Sequence, residues 1–184
     1  MPIFGYQNTF AISCKLPEYI NPNEQVLILC HYLVAGDFIG NEDEPDLLGT
    51  CAGDLKRALV KLCDLQAAGH ETIFDGLNDL EALAIVRKAN QLEEEFEPNF
   101  LYLPQQPETF WYAHQLWLAE STDKAQVIVF NYAGRLKIIK QPYWDEPKEV
   151  KSVLSKFELA TQAFTDCLQY LKSSYPDRLT WLQL

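Results

Sequence analysis

Apolar and polar positions along this chain change their period several times, and each change marks a new element. Phe10, Ile12, Cys14 and Leu16 alternate with Ala11, Ser13 and Lys15, the period-two pattern of a half-buried strand, which Pro17 ends. Val26 to Val34 is a near-continuous apolar run, long enough for a central strand covered on both faces. Gly36-Asp37 reads as a turn, and Phe38-Ile39 as a short returning strand. Leu55, Ala58, Leu59, Leu62 and Leu65 then recur at helical spacing, predicting a helix from about Cys51 to Ala67 with Thr50 as its cap and Gly69 as its stop. Asn78 and Glu81 form a capping-box pattern for a second helix that runs to about Gln91.

Beyond Pro98, the aromatic-rich runs Phe100 to Leu103 and Phe110 to Leu118 predict two strands, the second with Phe110, Tyr112, His114 and Leu116 on one face. Val127 to Tyr132 and Arg135 to Ile139 flank Ala133-Gly134, which predicts a hairpin because glycine supplies the positive φ of a tight turn. Val150, Val153, Leu154, Phe157, Ala160, Phe164, Cys167, Leu168 and Leu171 form one stripe, predicting a long helix with Pro147 in its first turn and its end at Tyr175-Pro176. The adjacent hairpin is the nearest surface for that stripe. A short apolar tail, Leu179 to Leu184, follows. The expected fold is α+β, one domain spanning 1–184, mainly antiparallel sheet with a long C-terminal helix and two shorter mid-chain helices packed on it.

Composition adds a packed core and a strong charge. The chain is 48% hydrophobic, well away from disordered compositions, and carries 15 basic against 26 acidic residues for a formal charge of -11. That charge argues against direct nucleic-acid binding and favours encounter with a basic partner. No apolar run is long enough to span a membrane, and the N-terminal residues lack a signal-peptide pattern, so the chain is expected in the cytoplasm. The five cysteines, Cys14, Cys30, Cys51, Cys63 and Cys167, are irregularly spaced without a CxxC, which reads as reduced thiols serving mainly as small core side chains.

Few residues ask for chemistry. Cys51 is the best nucleophile candidate, because a helix N-terminus lowers a thiol's pKa, with His31, His70 or His114 as the available bases. Cys30 and His31 are neighbours on one strand and point to opposite faces, so no metal site is expected, and without a phosphate loop or GxGxxG no cofactor is expected either. Two acidic clusters remain: Glu42, Asp43, Glu44 and Asp46, and then Glu93, Glu94, Glu95 and Glu97. Each is either a solvated face or a partner-binding rim. The aromatics Phe100, Tyr102, Phe110, Trp111, Tyr112, Trp117, Tyr143 and Trp144 are core residues or, where exposed, interface anchors.

Ile3-Phe4-Gly5, Phe10-Ala11-Ile12, His31-Tyr32, Ala35-Gly36-Asp37, Phe38-Ile39-Gly40 and the small residue before Asp54-Leu55 carry a family resemblance over the first third of the chain. This part resembles the bacterial polymorphic-toxin immunity proteins of the family numbered forty-two. The resemblance implies a cytoplasmic α+β protein, without enzymatic activity, that neutralises a cognate polymorphic or contact-delivered toxin by direct contact. Combined with the charge, it points to a basic toxin, such as a nuclease, as partner, with neither nucleic acid nor membrane bound directly. The alternatives are a cysteine-dependent enzyme using Cys51 and a non-catalytic adaptor.

Overall fold

The computed structural model describes residues 1–17, 24–39, 43–91, 107–118, 125–142 and 150–184. The chain opens with β1 (Ile3–Gly5), β2 (Phe10–Lys15), β3 (Leu27–Val34), β4 (Asp37–Phe38) and β5 (Asp46–Leu47). These form an antiparallel sheet in the order β1-β2-β3-β4, with β5 pairing the other end of β3. β3 is the central strand that its apolar run predicts. The Ala35-Gly36 turn closes it onto β4 with both residues at positive φ, 56° and 86°, the geometry of a two-residue hairpin loop. The turn therefore sits one residue earlier than Gly36-Asp37.

β5 runs directly into α1 (Leu48–Ala68). Thr50 is not the cap: the helix begins three residues beyond the end of the preceding loop at Leu48, whose N–H bonds the Val26 carbonyl, and Leu47 occupies the cap position. Sheet pairing, not a side-chain cap, fixes this start. Gly69 ends the helix at φ 81°, as expected. A single 3₁₀ turn (Thr72–Phe74) leads to α2 (Asp79–Gln91). Here the capping box forms in full: the Asn78 side chain accepts the Leu80 and Glu81 N–H groups at 3.0 Å, and Glu81 accepts the Asn78 N–H at 2.8 Å.

Phe110 to Leu118 is not a strand. It contains α3 (Pro107–His114) followed by the two-residue β6 (Gln115–Leu116). Aromatic density suggested a strand, but Phe110 and His114 lie one helical turn apart and both are buried, while Tyr112 between them is exposed. Proline at the first helical position is pre-organised for this start. The strand expected at Phe100 to Leu103 lies outside the described residues, as do Tyr102, Tyr143, Trp144 and Pro147.

The second sheet adds β7 (Ala125–Tyr132), β8 (Arg135–Pro142) and β9 (Lys151–Ser155), antiparallel in the order β6-β7-β8-β9. The hairpin is as predicted, with Ala133 and Gly134 both at positive φ. The long helix is shorter than its stripe suggested. Val153 and Leu154 belong to β9, paired with Ile138 and Lys137 of β8, and α4 runs from Phe157 to Ser174. Valine spacing fits both periods, and an open β8 edge decides for the strand.

The α4 stripe packs where local reasoning did not place it. Instead of lying on the β7–β8 hairpin alone, α4 packs against α1, β1 and β2. Phe164 meets the rings of Phe10 and Tyr32 at 5.5 and 5.8 Å, and Phe4 meets Tyr170 at 5.4 Å. Leu179 and Leu182 of the tail fold back into the same core. That core includes Val127, Val129, Leu136 and Ile138 from one face of the second sheet. The opposite face offers Ile128, Phe130 and Ile139 to Phe74, to Leu83 and Val86 of α2 and to Phe110 of α3. Alternation along β7 and β8 thus builds two cores from one sheet.

Candidate functional site

Between α1 and α3 the described surface forms an open groove of about 810 Å³, lined among others by Arg57, Val60, Lys61, Glu71, Tyr112 and His114. α1 presents Arg57, Val60 and Lys61 on consecutive turns of one face. Val60 and Tyr112 are each 52% exposed, so the rim is apolar as well as charged. The Lys61 ammonium donates to the Gln115 carbonyl. Burial, with the Arg57 charge adding to it, pulls the Lys61 pKa down to about 8.

The floor of the groove is a hydrogen-bonded network. His114 Nδ1 lies 2.7 Å from the Phe110 carbonyl and Nε2 lies 2.6 Å from Glu71 Oε1. A carbonyl only accepts, so Nδ1 carries a proton, and the second ring nitrogen shares a proton with the carboxylate. The other Glu71 oxygen accepts the Asn131 N–H at 3.0 Å, and the Asn131 amide donates to the Leu65 carbonyl and accepts the Gly134 N–H. The carboxylate thereby joins α3 to β7, and the Asn131 amide joins β7 to the last turn of α1 and to the hairpin turn. Nearby, His70 Nδ1 accepts the Ala133 N–H at 2.8 Å, which places its proton on Nε2 facing Asp75 at 2.6 Å.

The sequence candidates are dispersed. Asp43 is exposed and Glu44 partly exposed, whereas Asp46 is buried within β5 and does not share their surface. Glu42, Glu93, Glu94, Glu95 and Glu97 lie outside the described residues. Cys51 does sit in the first turn of α1, but it is fully buried. A hydrogen bond with Cys30 favours its thiolate, yet burial and surrounding acidic groups outweigh it and raise its pKa. An inaccessible, protonated thiol removes the two properties that singled it out as a nucleophile. Lys61 and Glu71 went unnoticed in the sequence because no local spacing links them, and Tyr112, one of the aromatics weighed as an interface anchor, is exposed in the groove.

A family model described as immunity protein 42 matches residues 2–174. The chain belongs to the immunity protein 42 family. The match extends the resemblance from the first third to nearly the whole chain, so α4 and the second sheet are part of the family's fold. Among solved structures, CdiI from Burkholderia dolosa AUO158 is similar, with 15% identity, a TM-score of 0.63, and coverage of 92% of this chain and 99% of that one. At that identity the likeness is one of fold. No curated protein sequence matches the chain. The groove and the Asp43–Glu44 surface are therefore features of an immunity protein. Among the described residues, no helix is long and apolar enough to cross a membrane.

Proposed function

We propose that this immunity protein neutralises one cognate toxin by forming a tight complex in the cytoplasm, with a basic toxin domain, such as a nuclease, as its partner and no turnover of its own. The observation that carries the reading is the family match across residues 2–174. Supporting the charge of the partner is the net -11 of the chain, which speeds encounter with a basic surface and orients it. Supporting the compartment are five free cysteines and no disulfide among the described residues.

The contact surface we propose combines an acidic rim with an anchor. Asp43 and Glu44 supply the acidic contacts beside β5; Glu42, Glu93, Glu94, Glu95 and Glu97, which lie outside the described residues, are proposed as further contacts on their charge alone, and buried Asp46 is not proposed as one. The α1–α3 groove supplies the anchor: Tyr112 and Arg57 are residue types enriched at interface hot spots, and Val60 adds exposed apolar area beside them. An interface of roughly 1,200 to 2,000 Å² covers the toxin's active site or blocks its action sterically.

Co-expression of the toxin domain encoded beside this protein, with and without it, tests the reading. Growth arrest relieved only by co-expression, with a complex that survives purification, is the expected result; toxicity that persists sinks it. Rim steering is tested separately. The association rate is expected to fall about tenfold or more as salt rises and the Debye length shrinks from about 10 Å at 0.1 M to about 3 Å at 1 M. A flat salt dependence refutes steering while leaving neutralisation intact.

A further inference from the structure

Three of the five cysteines converge, and a fourth neighbours one of them. Cys14 on β2, Cys30 on β3 and Cys167 on α4 come from distant parts of the sequence, yet their sulfurs all lie within 4.8 Å of one another and all are buried. Cys51 of α1 hydrogen-bonds to Cys30, whereas Cys63 is exposed elsewhere on α1. Dispersed small core residues do not require such convergence.

The sheet register explains how the first two thiols are brought together. Cys14 and Cys30 are direct cross-strand partners. The Cys14 N–H donates to the Pro2 carbonyl at 3.1 Å, on the β1 side, so its peptide groups turn away from β3. The pair is therefore a non-hydrogen-bonded one, the kind whose Cα atoms sit about 4.5 Å apart with side chains closest. α4, held by Phe164 against Phe10 and Tyr32, lowers Cys167 onto them.

We propose that Cys14, Cys30 and Cys167 form a buried site for one soft d¹⁰ metal ion, Zn²⁺ or Cu⁺. Thiolates around zinc at about 2.3 Å stand about 3.8 Å apart, so ligation requires only a small contraction of the triad. Cu⁺ is satisfied by the three thiolates, whereas Zn²⁺ needs a fourth ligand, for which Cys51, outside the triad but next to Cys30, would have to move in. Each ligating thiol gives its proton to solvent as the ion enters, so binding weakens as pH falls. Because the sulfurs lie in the core, the ion is loaded during folding or through local opening. Once bound, it ties the C-terminal helix to the first sheet.

The test uses the full chain without a histidine tag, reduced and oxygen-free, both as purified and after refolding with one equivalent of Zn²⁺, Cd²⁺ or Cu⁺. The expected result is one tightly held ion, a sulfur-to-metal charge-transfer band with Cd²⁺, a higher melting temperature, and an X-ray absorption shell containing sulfur alone. Cys30→Ala and Cys167→Ala are expected to abolish the band and Cys63→Ala to leave it unchanged. Cys51→Ala separates the arms, weakening Zn²⁺ and sparing Cu⁺. No stoichiometric binding of either ion, a shell containing nitrogen or oxygen ligands, or binding that survives Cys30→Ala overturns the proposal. The wild-type absorption shell decides even where an alanine variant does not fold.

Discussion

Around Phe164, the first sheet meets α4 through rings, thiols and aliphatic side chains, whereas around Glu71 the second sheet meets α1 and α3 through a carboxylate, an imidazole and an amide. The first junction is cohesive but non-directional, so it tolerates shape-preserving exchange and suffers when volume is lost. The second depends on each partner being present, since a buried donor or acceptor left alone costs its full desolvation. The two sheets also touch through ions: Asp37 of β4 pairs with Lys140 of β8 at 2.7 Å and with Lys151 of β9.

Phe164→Ala attacks the first junction and is expected to have the largest effect, about 3 to 5 kcal/mol of stability lost in a urea titration. Phe164→Leu should cost markedly less, and equal losses for the two would contradict the volume argument. His114→Ala attacks the second, leaving the Glu71 carboxylate without its imidazole, and is expected to cost about 2 to 4 kcal/mol. A double-mutant cycle with Glu71→Ala should show coupling above about 1 kcal/mol; additive losses would mean the two residues act separately.

Asn78→Ala removes a cap that serves two N–H groups and should cost about 1 kcal/mol, read as a shift in the denaturation midpoint with unchanged slope. The smallest effect belongs to Asp37. Hydrogen bonds from Lys140 and Lys151 bring its pKa from 3.8 down to about 2. A depressed carboxylate stabilises the fold above its unfolded pKa and loses that contribution as pH falls through the folded value. Wild type should therefore lose stability between about pH 4 and 2 relative to Asp37→Asn. The carboxylate is partly exposed, so the difference should stay below about 1 kcal/mol in a pH series of melting curves.

What was legible in the sequence was local. The Asn78–Glu81 box, the Gly69 stop and the Ala133-Gly134 hairpin are each written within a few residues, and all three form as read. Aromatic composition misled at Phe110 to His114, where β-propensity pointed one way and the buried one-turn spacing of Phe110 and His114 the other. At Val150 to Leu154 two periods coincided, and only the presence of β8 selected the strand. Charge pattern could not tell the exposed Asp43 from the buried Asp46. The groove, the Glu71 network and the thiol cluster were invisible because each is assembled from several elements. Adjacency along the chain misplaced α4, since its true seat on β1 and β2 was formed near the opposite end of the sequence.

That seat sets an order of events during synthesis. The apolar face of β1 and β2 leaves the ribosome before its cover, because the helix that covers it is encoded about 140 residues later. At about 5 to 20 residues per second, the interval is about 7 to 30 s. Throughout it the apolar face of β1 and β2 lacks its native cover, so the first core can close only once α4 has been made.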